Sequence, residues 1–391
     1  MKPHVKPLAG LKVLELARIL AGPWAGQVLA DLGAEVIKIE RPETGDDTRT
    51  WGPPFVRNKD GETWGAAYFH ACNRGKSSVA ISFETPEGQA AIRALAAEAD
   101  VVIENFKIGG LAKYGLDYQS LRAINPRLIY ASITGFGQDG PYAERAGYDY
   151  IIQGMSGLMD ITGEPAREPQ KVGVAVVDLF TGVYTSTAIL AALRQRDGSR
   201  GDSGGEGCHI DMALFDCATA MLANQAMNYL GSGKSPCRLG NAHPNIAPYQ
   251  VFKVADGHII IAVGNDGQFQ KLCAALGADG VAKYPDYQTN AGRVASRIEL
   301  QGELEPFLMR YGRAEILQKL EKAGVPAGPI NRIEDVFNDP QIVHRGMRLA
   351  LQDADGSPVA GVASPIVING ERMAADAPSP MLGSGKAEWT S

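Results

Sequence analysis

Residues 11–40 read LKVLELARILAGPWAGQVLADLGAEVIKIE, and this stretch decides the fold. Residues 11–16 form an apolar run of strand length, 24–32 carry apolar residues at helical spacing, and 35–39 (EVIKI) return to strand character. Strand, helix and strand in close succession make a βαβ unit and predict a parallel, doubly wound sheet. The turn between the first strand and the helix invites a dinucleotide reading, with acidic Glu40 after the second strand. Its glycines defeat that reading. Gly22 and Gly26 make a single GxxxG instead of GxGxxG, Pro23 lacks an N–H donor, and Trp24 fills the space a pyrophosphate needs. Two readings remain: the small residues permit close strand–helix packing, or a phosphate- or pantetheine-bearing ligand lies over the turn.

Outward from this unit, 78–82 read as a strand, and a helix opens at Thr85-Pro86, with Thr as N-cap and Pro at the first helical position. Ile92, Leu95, Ala96 and Ala99 then form one buried stripe, and 101–103 and 127–133 supply further strands. The apolar run 172–177 reads as a strand leading into a helix over 179–193. Residues 194–207 read as an exposed loop in which Arg200-Gly201-Asp202 is a chance tripeptide. A helix is expected over 213–230, a hairpin over 249–254 and 258–263 around Asp256-Gly257, and helices through 266–323. Short strands return over 347–368, and 374–391 is a tail expected to wrap a surface or fray.

The 391 residues are 45% hydrophobic and 21% charged, an ordinary globular balance sufficient for two domains or one large interleaved body. Net charge is −6 with no block of Lys and Arg, so no footprint for nucleic acid exists and basic residues must act locally. Neither a bilayer-spanning run nor a signal-peptide core is read in the sequence, which makes a cytoplasmic protein without membrane attachment the expectation. Cys72, Cys208, Cys217, Cys237 and Cys273 are scattered without CxxC spacing and read as reduced and structural. The six histidines form no metal-ligand spacing, and no serine sits in GxSxG, so no metal site and no serine hydrolase are expected. His209 and Asp211 read as a satisfied pair in a strand.

Arg41 and Arg49 follow the second strand at the carboxyl edge, where open α/β sheets bind ligands; they either meet anions or form solvated ion pairs. Lys76, Lys107 and Lys113 place further cations in neighbouring edge loops, a distribution suited to a ligand with several phosphates. Asp178 is the acid singled out, beside a helix N-terminus. It is either a helix cap or a carboxylate nucleophile toward an activated acyl group, with free N–H groups near a developing oxyanion.

Taken together, the residues resemble the family III CoA-transferases (the CaiB/BaiF family) over nearly the whole chain. The resemblance rests on residues 14–42, GDDTR at 45–49, NRGKSS at 73–78, ENF at 104–106, ASITGFGQDGPY at 131–142, AGYDYIIQGMSGLMDITGEP at 146–165 and VGVAVVDLFTG at 172–182. It implies an α/β fold with a Rossmann-like large domain, parallel-sheeted and built from both chain ends, plus a smaller α+β domain, in a homodimer of two interlocked rings. The corresponding boundaries are 1–200 for the first part of the large domain, 201–224 as linker, 225–325 for the small domain, and 326–391 as linker and completing segment. It further implies transfer of CoA from an acyl-CoA to a free carboxylic acid through Asp178, by way of an acyl anhydride and an aspartyl-CoA thioester. One thioester is exchanged for another, so no bound cofactor or metal is required. Ala21, Arg41, Lys76, Asn105, Phe106 and Lys113 match positions that line the CoA site.

Some positions depart from relatives. Lys113 and Thr134 stand where the oxalate-using member has Arg and Lys, and GNAHPNIAP at 240–248 replaces its Gly-rich loop, which argues against formyl-CoA:oxalate transfer. The racemase branch uses a histidine in GHD; here Gly147-Tyr148-Asp149 offers a phenol of ordinary pKa about 10, a poor base near neutrality. Residues 45–56 and 241–252 resemble succinyl-CoA:dicarboxylate transferases of the glutarate and hydroxymethylglutarate type. Arg49 and His243 are the candidates for the acceptor's distal carboxylate, each with a purely structural alternative. Leu382-Gly383 resembles the family's terminal motif, from which 384–391 depart.

Overall fold

The computed structural model describes residues 6–198 and 205–390. Two compact units divide the chain: 1–156, 172–221 and 339–391 in the first, 157–171 and 222–338 in the second. The first is built on β1 (Lys12–Glu15), α1 (Ala21–Asp31), β2 (Glu35–Glu40), β3 (Lys76–Ala80), α2 (Pro86–Glu98), β4 (Val101–Glu104), β5 (Ile129–Thr134), α3 (Asp149–Met155), α4 (Val176–Gly198) and β6 (His209–Ala213). Its six strands run parallel in the order β3-β2-β1-β4-β5-β6. That is the Rossmann order, in which successive crossovers leave β1 in opposite directions and open a crevice at the carboxyl ends of β1 and β4.

The register explains the core. Leu14 lies beside Ile37 on one side and Val102 on the other, and the two-residue period of the strands turns all three toward Ile92 and Leu95 of α2. Thr85 caps α2 by accepting the Gly88 N–H at 3.1 Å, and Pro86 occupies its first turn. On the opposite face the small residues of the first turn serve close packing: a Cβ at Gly22 would overlap that of Ala17, and one at Gly26 would overlap the Glu15 carboxylate. α1 rests against α4, where a Cβ on Gly182 would come within 2.7 Å of the Ala21 carbonyl oxygen.

Three expectations are corrected. Residues 172–175 form no strand; the sheet instead takes β6, and α4 begins at Val176. α4 also runs past 193 to Gly198, because Arg196 turns back to bond Asp100 at 2.9 Å and the Arg127 carbonyl at 3.2 Å. The tripeptide Arg200-Gly201-Asp202 lies outside the described residues. The expected helix over 213–230 is two, Leu214–Met221 and Ala223–Ser232, broken where Ala223 takes φ 43°. By length and composition alone α4 could cross a membrane, a feature the sequence reading passed over. Thr181, Gly182, Thr185, Ser186 and Ile189 are nevertheless buried along it, so one face of the helix packs in the core.

The C-terminal segment covers an edge of the sheet. Ala375 donates to Asp31, Gly385 donates to the Ser78 carbonyl of β3 at 2.7 Å, and the Trp389 indole donates to Leu95 O. An outer strand is thereby shielded from pairing with another chain.

The second unit holds an antiparallel sheet of Ala327–Pro329, Gly257–Ala262 and Tyr249–Val254. Ile259 and Ile261 face its core with Phe252, Phe269, Leu304 and Ile316, while His258 and Ile260 alternate outward. Residues 157–171, placed by the sequence in the large domain, pack here: Gly240 N donates to Gly163 O, and Arg238 bonds Asp160.

Candidate active site

A cavity of about 510 Å³ opens in the first unit at the crevice where the strand order reverses. Its walls come from the loops after β1 (18–21), β2 (Arg41), β4 (105–108) and β5 (133–135), together with 143–148 and Asp178. Ala21, Arg41, Asn105, Phe106, Lys113 and Asp178 are thus brought together from loops far apart in sequence.

Asp178 sits half-buried in the first turn of α4. The helix N-terminus is not free, as the sequence reading had it. Asp149 Oδ1 accepts the N–H groups of Val177 at 2.8 Å and Asp178 at 3.3 Å. Its Oδ2 accepts from the Gln153 amide, whose own oxygen accepts the Val172 N–H. The apolar run 172–177 is therefore held by side chains instead of a neighbouring strand. Burial, and then the negative charge of Asp149, push the Asp178 carboxyl up to about 7. Asp178 opposes ionisation of Tyr68 in turn: burial first, then this charge, raise the phenol to about 12. Trp51 packs edge-on against Tyr68 at 5.3 Å between ring centres.

Two of the cations named from the sequence are placed elsewhere. Lys76 does not line the cavity: its fully buried ammonium is paired with Glu15 at 2.8 Å and donates to the Pro23 carbonyl and Asn73. Arg49 is bound bidentately by Glu40, through Nε at 2.8 Å and Nη2 at 2.7 Å, and its guanidinium lies over the Phe69 ring at 3.7 Å. Meeting an acceptor carboxylate would require it to abandon Glu40. Both placements have one cause. The sheet edge carries a buried set of charges, Glu15, Lys38, Glu40, Asp46, Arg49 and Lys76, that neutralise one another.

Asn105 lines the cavity, but its amide is committed to the backbone of Arg18, accepting its N–H at 3.0 Å and donating to its carbonyl at 2.6 Å. Phe106 meets Phe83 edge to face at 5.4 Å, and Phe83 meets Tyr114 at 5.3 Å, giving an aromatic wall beside the exposed Lys113. Thr134 lines the cavity and accepts the Gly137 N–H. His243 belongs to the second unit, where its Nδ1 accepts the Asn245 N–H and its carbonyl accepts from Arg297. His209 bonds Ser132 at 2.9 Å and stacks on Tyr118.

Arg18, Tyr68, Arg145 and Asp149 enter the site without having been assigned roles there from the sequence, while Lys107, named as an edge-loop cation, lines the cavity. Arg18 and Arg145 carried a signal only in hindsight: each is a lone cation in a loop that begins at the end of a strand or precedes α3. Among the described residues no group of three His, Cys, Asp or Glu could hold a metal ion.

Cation-bearing loops over a parallel sheet, an aromatic wall and a raised carboxyl at Asp178 define a site suited to acyl transfer on a phosphorylated carrier. The model of CoA-transferase family III matches residues 8–386, and the chain belongs to that family. It is 57% identical over 382 residues to the succinate–glutarate CoA-transferase of Agrobacterium fabrum, covering 98% of this chain and 94% of the relative. It is 41% identical over 380 residues to the succinyl-CoA:glutarate CoA-transferase of Homo sapiens, covering 97% and 84%. The crystal structure of a CaiB/BaiF family protein from Brucella suis is 60% identical and superposes with a TM-score of 0.85 over 97% of each chain.

Proposed function

We propose that this CoA-transferase moves CoA from succinyl-CoA to glutarate or a similar short dicarboxylate, with Asp178 as nucleophile. The observation that carries the chemistry is Asp178 itself, a raised carboxyl opening on the cavity at the sheet's switch point. Similarity to the two glutarate enzymes supports the substrate pair.

The Asp178 carboxylate attacks the thioester carbonyl, the C–S bond breaks, and CoA departs as thiolate, leaving a succinyl–aspartyl anhydride. The thiolate then attacks the aspartyl carbonyl, releasing succinate and forming aspartyl-CoA. Glutarate attacks that thioester to give a glutaryl–aspartyl anhydride and thiolate. Attack of the thiolate on the glutaryl carbonyl yields glutaryl-CoA and restores Asp178. The thiolate must stay in place between steps, which is a proximity requirement met by binding the CoA body. Arg41, Lys107, Lys113 and Arg145 supply cations for its phosphates, and Phe106 an apolar wall. Replacing Arg41 or Arg145 with Ala should raise KM for the CoA ester about 10-fold while kcat changes less than about 3-fold, the signature of lost ground-state binding. Unchanged KM in both variants would remove these residues from the phosphate site.

Only ionised Asp178 attacks, so kcat/KM should rise with pH through about 7. Asp149→Asn removes the repelling charge and should shift that limb toward lower pH, in the direction of the ordinary carboxylate value near 4. A pH–rate profile that does not move would detach the limb from Asp178.

A homodimer is part of this reading. Phe180, Val183, Tyr184 and Leu190 leave an apolar face exposed on α4, large for a surface meant to stay in water. Sedimentation should give twice the chain mass, and a monomer at micromolar concentration would refute the dimer. Acceptor choice is tested by mass spectrometry of the CoA esters formed from succinyl-CoA with glutarate, malate, citramalate, mesaconate and oxalate. Glutaryl-CoA should dominate; a different dominant ester would reassign the acceptor.

A further inference from the structure

Between β1 and α1 the chain turns through Ile19, whose φ is 73°. A β-branched residue in the left-handed region is strained, because its Cβ crowds the neighbouring carbonyl, and such a conformation persists only where the surroundings enforce it. The enforcement is visible on each side of the residue. Asp46 accepts the Ile19 N–H with Oδ1 at 3.3 Å and Oδ2 at 3.2 Å. The Cys72 thiol donates to the Ile19 carbonyl at 3.6 Å, and Asn105 holds both backbone groups of Arg18. Asp46 is itself held: Lys38 pairs with it at 3.0 Å, and the Thr48 N–H and hydroxyl donate to it at 3.0 and 2.7 Å. Its side chain is fully buried, so none of these contacts is solvent-shared.

The consequence lies in the cavity. Ile19, Leu20 and Ala21 form one stretch of its wall, and Ala21 packs at Gly182, one helical turn beyond Asp178 on α4. A relaxed Ile19 would swing this stretch relative to the nucleophile.

We propose that Asp46 is a positioning residue for the transfer reaction, holding Ile19 left-handed so that residues 19–21 keep the acyl end of the CoA ester aligned with Asp178. This rests on the reading of the cavity as the active site. Asp46 touches no substrate; it acts through the backbone of Ile19.

Glycine takes a positive φ without strain, which provides the test. Asp46→Asn should lower kcat about 10- to 100-fold, the scale of a misaligned reacting group, with KM for succinyl-CoA changed less than about 3-fold. Ile19→Gly sets its own reference level, because the residue lines the cavity; in that background Asp46→Asn should lower kcat less than about 3-fold. An Asn variant with wild-type kcat, or a loss on Asp46→Asn that is as large in the Ile19→Gly background as in the wild type, would overturn the proposal. Where Asp46→Asn does not accumulate as folded protein, the double variant decides: folded and active supports the role, while inactive or still unfolded overturns it. Asp178→Asn is assayed alongside; if it retains transfer, the reading of the site has failed, whatever the Asp46 series gives.

Discussion

Asp178→Asn is expected to lower kcat for transfer at least about 10⁴-fold, the scale on which removal of a covalent nucleophile is felt. The carboxamide keeps the size and shape of the side chain and leaves the N–H bonds from residues 177 and 178 to Asp149 in place. It cannot form the anhydride, because an amide nitrogen or oxygen is far less nucleophilic than a carboxylate. Affinity for CoA esters should change less than about 3-fold, since the cations lining the cavity are untouched. Asp178→Ala guards against regain of activity by deamidation and should be equally inactive. An active, homogeneous Asn variant would end the nucleophile assignment.

Lys38→Met is expected to be the most destabilising single change in the first unit, by about 3–5 kcal/mol. Lys38 is 1% exposed and bridges Glu15 and Asp46, each at 3.0 Å, with a further bond to the Ala17 carbonyl at 2.7 Å. Opposing carboxylates raise the pKa of this ammonium despite its burial, so it is charged in the fold. Methionine fills much of the same space and leaves Asp46 buried without its cation, a cost unlike that of a surface pair. Glu15 retains Lys76, which limits the damage on that side. Equilibrium urea unfolding measures the effect; a loss below about 1 kcal/mol would mean the charges of this network are not coupled as their distances indicate.

The sequence made β1, α1, β2 and the capped start of α2 readable because local pattern and tertiary role agree there. It misled at 172–177 because a short apolar run has no period of its own, and there the backbone partners are the side chains of Asp149 and Gln153. β6 was recognised only in part, since His209 and Asp211 put polar side chains into an outer strand. Asp178 was legible from its place beside a helix start, yet Asp149, which holds that start, was visible only as part of a motif. The resemblance put Lys76 among the CoA-site positions and left Arg49 either an acceptor contact or a structural residue; the structure buries both in ion pairs. The contrary signal was present: LKVLEL sets Glu15 and EVIKIE sets Lys38 between apolar neighbours in a strand, and the register places the two directly opposite each other. No local pattern could reveal that Ile19 is left-handed, since the groups enforcing it lie 27 and 53 residues away.

The most direct test is peptide mass spectrometry of protein incubated with succinyl-CoA and quenched, with and without hydroxylamine. A hydroxylamine-sensitive CoA adduct should map to the peptide carrying Asp178, disappear on addition of glutarate as glutaryl-CoA forms, and be absent from Asp178→Asn. Glutaryl-CoA produced with no adduct at Asp178, or with an adduct on another residue, would contradict the account.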